Sequence, residues 1–254
     1  MRRSFKSLPL ALSFMLALAA VGFFLTSCSN NSSQGRFVNA VVNAGNVDIF
    51  FGGTRYFTDL GFQGFEPASS YSGVPAGSST IIGYPTGTST TETFSVSNVN
   101  LNAGSQYTLV AAGVAVNGPN SNVVVLNPVD NNNVPANGTV NFRVINASPD
   151  GPLSPVIYIT PNPIIGNGCN SAGSIVINPL AYQAASGYEP IQYNSQGGYT
   201  VFVCNTEGGN PIFSGTNLGT IGGPNVGSIR TIIFTDNSGG TGMSSIPVVL
   251  KDDN

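Results

Sequence analysis

Histidine and tryptophan are absent from this 254-residue chain, and charge is scarce: Asp, Glu, Lys and Arg together make up 7% of it. Without His there is no Ser-His-Asp triad, no Cys-His dyad, no His-ligated zinc and no use of the commonest general base. Lysine is nearly as rare. Beyond residue 27 only Lys251 remains, in what reads as a charged tail, which argues against a Ser-Lys dyad or a Schiff-base lysine. No Gly-x-Ser-x-Gly elbow occurs. Gly239-Gly240-Thr241-Gly242 lacks the Lys of a phosphate loop and reads as a glycine-rich turn. Beyond residue 27, five basic residues (Arg36, Arg55, Arg143, Arg230, Lys251) stand against eleven acidic ones, a net charge of −6. That balance offers nucleic acid no electrostatic footprint.

The one long apolar run is N-terminal. Arg2, Arg3 and Lys6 precede Leu8 to Leu25, which is almost wholly apolar, and the run closes on Leu25-Thr26-Ser27-Cys28. A basic start, an apolar stretch and small residues before a cut describe a secretory signal. The Cys directly after small residues resembles the bacterial lipobox. That resemblance implies cleavage before Cys28, diacylation of its thiol and membrane anchoring through the acyl chains, each buried CH2 contributing ~0.8 kcal/mol. An uncleaved transmembrane anchor is the alternative, but Pro9, Ser13 and Gly22 interrupt the run and no basic stop-transfer cluster follows. Residues 1–27 are thus read as signal peptide and 28–35 as a lipidated Cys with a flexible tether. Ser29, where many retained lipoproteins carry Asp, favours an outer-membrane location by the same resemblance.

The remaining chain has short Val/Ile/Phe/Tyr runs separated by Gly, Pro, Asn, Ser and Thr, and no convincing helical period. This predicts an all-β fold, a sandwich or barrel. Candidate strands in the first half are 36–42, 46–51, 54–60, 68–73, 78–84, 91–99, 106–115 and 122–127. Gly52-Gly53 and Pro75-Ala76-Gly77 mark tight turns. The second half restates the first in order. Arg36-Phe-Val-Asn39-Ala40 matches Arg143-Val-Ile-Asn146-Ala147, and Val47-Asp-Ile-Phe-Phe51 matches Pro155-Val-Ile-Tyr-Ile159. Leu60-Gly-Phe-Gln63 matches Leu180-Ala-Tyr-Gln183, and Gly104 to Val110 matches Gly227 to Ile233. Val124-Val-Leu126 matches Val248-Val-Leu250, placing Leu126 over Leu250. A repeat of this length is domain-sized rather than a solenoid unit. Two tandem domains are expected, 36–130 and 139–254, joined by a linker over 131–138.

At these residues the chain resembles the domain of unknown function 4397 family of bacterial secreted proteins and lipoproteins. The first copy carries Val47-Asp48-Ile49, Tyr71-Ser-Gly-Val-Pro75-Ala76-Gly77 and Ala103-Gly104-Ser-Gln-Tyr107-Thr108. The second carries Arg143-Val-Ile-Asn146-Ala147-Ser148-Pro149-Asp150. The first lacks the Ser-Pro-Asp. The second lacks the strand Asp and has Arg230 where the pattern has Tyr. The resemblance implies immunoglobulin-like β-sandwiches and assigns no activity.

The carboxylates Asp48, Asp59, Glu66, Glu92, Asp150, Glu189, Glu207 and Asp236 are scattered and read as surface or turn-capping groups. Asp48 interrupts an apolar strand, so it faces solvent or pairs with a group such as Arg36. Asp130-Asn131-Asn132-Asn133 offers oxygen ligands but fails the spacing of a calcium loop and reads as linker. Tyr56, Phe57, Tyr84 and Tyr188 could stack on sugar, with strand packing as the default. Setting lipidated Cys28 aside leaves Cys169 and Cys204. Export into an oxidising compartment predicts that they pair, with two independent buried thiols as the alternative. No catalytic residue, metal or cofactor is assigned. The expected function is a non-enzymatic envelope lipoprotein with an envelope or extracellular partner. A carbohydrate- or peptide-binding lipoprotein is the first alternative, and a carboxylate-based hydrolase is a remote third.

Overall fold

The computed structural model describes residues 31–116, 122–152, 154–164, 168–170, 172–195, 198–212, 226–237, 242–244 and 248–252. Seventeen strands and no helix occur among them. The first half contains β1 (Ser32–Val42), β2 (Val47–Phe51), β3 (Thr54–Leu60), β4 (Phe65–Glu66), β5 (Ser72–Pro75), β6 (Gly77–Pro85), β7 (Phe94–Leu101), β8 (Gln106–Val114) and β9 (Val124–Leu126). The second contains β10 (Thr139–Asn146), β11 (Val156–Pro161), β12 (Ile175–Ile177), β13 (Ala184–Ala185), β14 (Glu189–Gln192), β15 (Tyr199–Cys204), β16 (Ile229–Phe234) and β17 (Val248–Lys251).

Each half is built from two sheets. In the first, β4-β1-β8-β9 with β5 also on β1 form one sheet, and β3-β2-β6-β7 the other. In the second, β13-β10-β16-β17 with β14 also on β10 form one sheet, and β12-β11-β15 the other. The plan repeats down to strand sense: β1 runs parallel to β8, and β10 parallel to β16. Period-two alternation explains both cores. Phe37, Val41, Ile49, Phe51, Ile81, Leu101 and Leu109 point between the first two sheets. Phe142, Val144, Ile157, Ile159, Val201, Ile232 and Phe234 do so in the second half. The intervening residues, Val38, Ala40, Val110 and Ala112, meet Ile145, Ala147, Ile233, Val248 and Leu250 in a third buried cluster. The β1 and β10 sheets therefore face each other, and Ser32–Asn254 forms one compact unit.

Two sequence expectations shift. The strand expected over 68–73 is not formed as such: only Ser72 and Gly73 of it are in a strand, the start of β5, and β4 ends before Pro67, which has no N–H to donate to a ladder. Leu126 lies opposite Val110, whereas the matching Ile233 lies opposite Val248. Leu126 therefore corresponds to Val248 and not to Leu250. A slip of two residues keeps every side chain on its own face, so hydrophobic pattern alone cannot reveal it.

A crossed charge network between the halves as candidate functional site

Arg36 shares a face of β1 with Val38 and Ala40, so strand alternation carries its side chain into the interface between halves. Arg143 is placed in the same way on β10, beside Ile145 and Ala147. Directly across the parallel ladders stand Thr108 on β8 and Thr231 on β16. The two carboxylates follow the last strand of each half: Asp130 after β9 and Asp252 after β17. Both Arg side chains and both Asp side chains are essentially inaccessible.

The pairing crosses. Asp130 of the first half accepts a hydrogen bond from Nη2 of Arg143 at 2.6 Å. Asp252 of the second half is bonded to Nη2 of Arg36. The remaining pairs close the ring, Arg36 to Asp130 at 3.8 Å and Arg143 to Asp252 at 4.0 Å. Thr108 Oγ1 accepts from Arg36 Nε at 3.0 Å and donates to Asp130 at 2.7 Å. Thr231 Oγ1 accepts from Arg143 Nε at 3.1 Å and donates to Asp252. Two half-buried tyrosines cover the ring. Tyr71 donates to Asp130 at 2.6 Å and lies against Arg36, 5.2 Å from guanidinium carbon to ring centre. Tyr188 donates to Asp252 at 3.0 Å and lies 4.6 Å from Arg143.

Burial pulls the Arg36 pKa down, but Asp252, Tyr71 and Asp130 outweigh it, and the guanidinium is held above its ordinary value. Burial first, then Asp130, raises the Tyr71 phenol, and burial likewise raises Tyr188. Each guanidinium and each carboxylate of the cluster has a partner in the opposite half, so the cluster ties the two halves together. Taking these charges out of water is costly, and mutual pairing must offset it.

Asp48 is buried but pairs with Arg55 at 3.2 Å, not with Arg36. Its other oxygen accepts the Asp59 N–H at 2.9 Å, while the oxygen facing Arg55 also accepts the Gly87 N–H at 3.3 Å. Arg55 is the hairpin neighbour across β2 and β3, while Arg36 belongs to the opposite sheet. Asp236 is no surface carboxylate. It is fully buried, accepting from Ser148 Oγ and, at 3.2 Å, from the Asp150 N–H. Asp130 is not a solvated linker residue, and Lys251 ends β17 rather than lying in a free tail. Phe57 is core. Tyr84 stacks edge-on with Phe50 at 5.1 Å, and Tyr56 with Phe51 at 5.3 Å. Among the described residues no group of three His, Cys, Asp or Glu could hold a metal ion.

Cys169 and Cys204 form a disulfide with Cα atoms 6.1 Å apart, and both are fully buried. Cys28 lies outside the described residues. Asp252 and the role of Asp130 escaped the sequence reading. The signal was present: with the two-residue slip corrected, Leu126 precedes Asp130 by the same spacing as Val248 precedes Asp252.

The sequence model of the domain of unknown function (DUF4397) family matches residues 33–153. Those residues belong to the DUF4397 family. The match takes in β1 to β10, with both network arginines, Thr108 and Asp130, and runs through Ser148-Pro149-Asp150. No curated protein matches the chain.

Proposed function

We propose that this protein is a non-enzymatic cell-envelope lipoprotein, anchored through Cys28, in which two tandem immunoglobulin-like domains form one stiff interaction module. In this reading residues 1–27 are removed, 28–35 are the lipidated tether, and 36–130 and 139–254 are duplicated copies on either side of 131–138. The crossed Arg36–Asp252 and Arg143–Asp130 pairing carries the proposal. A hinged two-domain protein would leave its interface wet and weakly paired; here each half completes the charge balance of the other, which suits a rigid display unit. The Leu25-Thr26-Ser27-Cys28 sequence supports the anchor, and Ser29 supports placement at the outer membrane. The test is cell fractionation with mass spectrometry. The membrane fraction should hold a chain starting at a diacylglyceryl-modified Cys28, and Cys28→Ser should move the protein to the soluble envelope fraction. A mature chain that keeps residues 1–27 would refute the anchor. Turnover in esterase, peptidase and glycosidase screens, abolished by one carboxylate substitution, would refute the non-enzymatic reading.

A further inference from the structure

The repeat says what belongs on a face that the first half leaves partly uncovered. Asp48 lies opposite Tyr84, and Phe50 opposite Ile82, on the side of the β2–β6 ladder turned away from the core. The matching pairs in the second half are Val156 opposite Cys204 and Tyr158 opposite Phe202. There the face is buried. Val156, Tyr158, Phe202 and Cys204 form a cluster with Cys169, which arrives from the segment between β11 and β12. That segment occupies residues 162–174, where the first half has only the Gly52-Gly53 turn. At Gly168 the backbone comes close to the aromatic ring: a Cβ there would sit 2.5 Å from Phe202 ring atoms. Gly208 N–H completes the cover, donating to the Cys169 carbonyl at 3.1 Å and to the Tyr158 hydroxyl at 3.2 Å.

In the first half Phe50, Ile82 and Tyr84 occupy the same register positions and stay partly exposed. We propose that this face binds a glycine-bearing turn of a partner polypeptide, seated as Gly168-Cys169 is seated on Tyr158 and Phe202. Glycine at the contact follows from the closeness of backbone to ring, since any side chain there would meet the ring first. Aromatic and aliphatic anchors on a rigid sheet suit such a contact, because little side-chain freedom is lost on binding. The inference rests on the interaction-module reading and names its surface. Its failure would leave anchoring at Cys28 and the crossed pairing untouched.

The test uses the membrane-extracted protein and a fluorescently labelled peptide with the sequence of residues 162–174, Cys169 replaced by Ser. The second half's own face is already occupied by its stapled segment, so only the first-half face is open to the peptide. Anisotropy should show saturable binding. Tyr84→Ser and, separately, Phe50→Ser should each weaken it at least about tenfold while the thermal unfolding midpoint shows the variant folded. Using both variants keeps the test decisive if one fails to fold. Absence of saturable binding, or equal affinity in a folded variant, would overturn the proposal. So would binding of soluble glycans at this face without binding of the peptide.

Discussion

The two halves agree where they meet and differ where they do not. On the facing sheets each supplies an Arg, a Thr, an Asp and a Tyr at corresponding positions: Arg36, Thr108, Asp130 and Tyr71 against Arg143, Thr231, Asp252 and Tyr188. On the outer sheets the solutions diverge. The first half sets Asp48 against Arg55 and backbone N–H groups, beside the Phe50–Tyr84 pair. The second replaces these with an apolar cluster held under a disulfide. The difference has a physical source. A buried charge whose partner lies in the other half cannot change alone, because its loss strands the partner in a dry interface. An outer face answers only to its own half, so polar and covalent solutions are both open to it.

The largest effect should come from breaking the shared feature. Arg143→Met leaves Asp130 without its closest cation and should destabilise by about 3–5 kcal/mol in denaturant unfolding. Arg36→Met should cost a similar amount through Asp252. If the clamp is a mutual one, Arg36→Met with Asp252→Leu together will cost less than Arg36→Met alone, since no unpaired charge remains. A loss under about 1 kcal/mol for either single variant would break the equivalence of the halves.

Next comes the feature only the second half has. Cys169 and Cys204 are separated by 35 positions. Replacing both with Ala should destabilise by about 3–4 kcal/mol on the chain-entropy account. Proteolysis should then cut first within residues 162–174, because the stapled segment has lost its tie to β15, while the first half resists as before. Equal loss of protection in both halves would show that the disulfide supports the whole unit rather than one face.

Much of this comparison was readable from sequence, and the limits are instructive. Strand identity followed from period-two alternation, and the Arg36/Arg143 and Thr108/Thr231 matches located half of the network. The disulfide followed from counting cysteines. The carboxylate half was hidden for two reasons. Alternation tolerates a slip of two, so Val248 and Leu250 were equally good mates for Leu126. Asp252 also sits beside Lys251 and Asp253, which together look like a solvated end, and its partner Arg36 is 216 positions away. Burial of a charge depends on such distant partners, and local composition carries no trace of them. Asp48 shows the same limit at short range: its interruption of an apolar strand was visible, but hairpin register chose Arg55 over Arg36.

Acid should separate the halves by sign. Burial raises the Asp236 carboxyl above the usual carboxylate range despite opposing hydrogen bonds from Ser148 and the Asp150 N–H. Its contribution is fully present below the unfolded value of about 3.9 and is lost as pH rises through the folded value. Burial also pushes Asp48 up, but the Asp59 and Gly87 N–H groups and Arg55 outweigh it and the pKa is lowered. Its contribution is present above about 3.9 and is lost as pH falls through the folded value. Asp236→Asn should therefore compare best with the parent near neutral pH and worse on acidification, and Asp48→Asn the reverse. Urea midpoints across pH 3 to 8 would show two slopes of opposite sign. Parallel slopes would mean that one carboxyl is paired differently from the geometry described.

The smallest effect should come from Arg55→Ala. Arg55 and Asp48 make a 3.2 Å ion pair, but the Arg55 side chain is 53% exposed, so water and salt screen the attraction. Two backbone N–H groups still satisfy Asp48 when the guanidinium is gone. The loss should be about 0.2–1 kcal/mol and should shrink further in high salt. Set against the several kcal/mol expected for Arg143→Met, this contrast separates an arginine that decorates a half from one that joins two. A loss at Arg55 as large as at Arg143, undiminished by salt, would mean that the Asp48 cluster bears on the whole unit and that the outer faces are not independent.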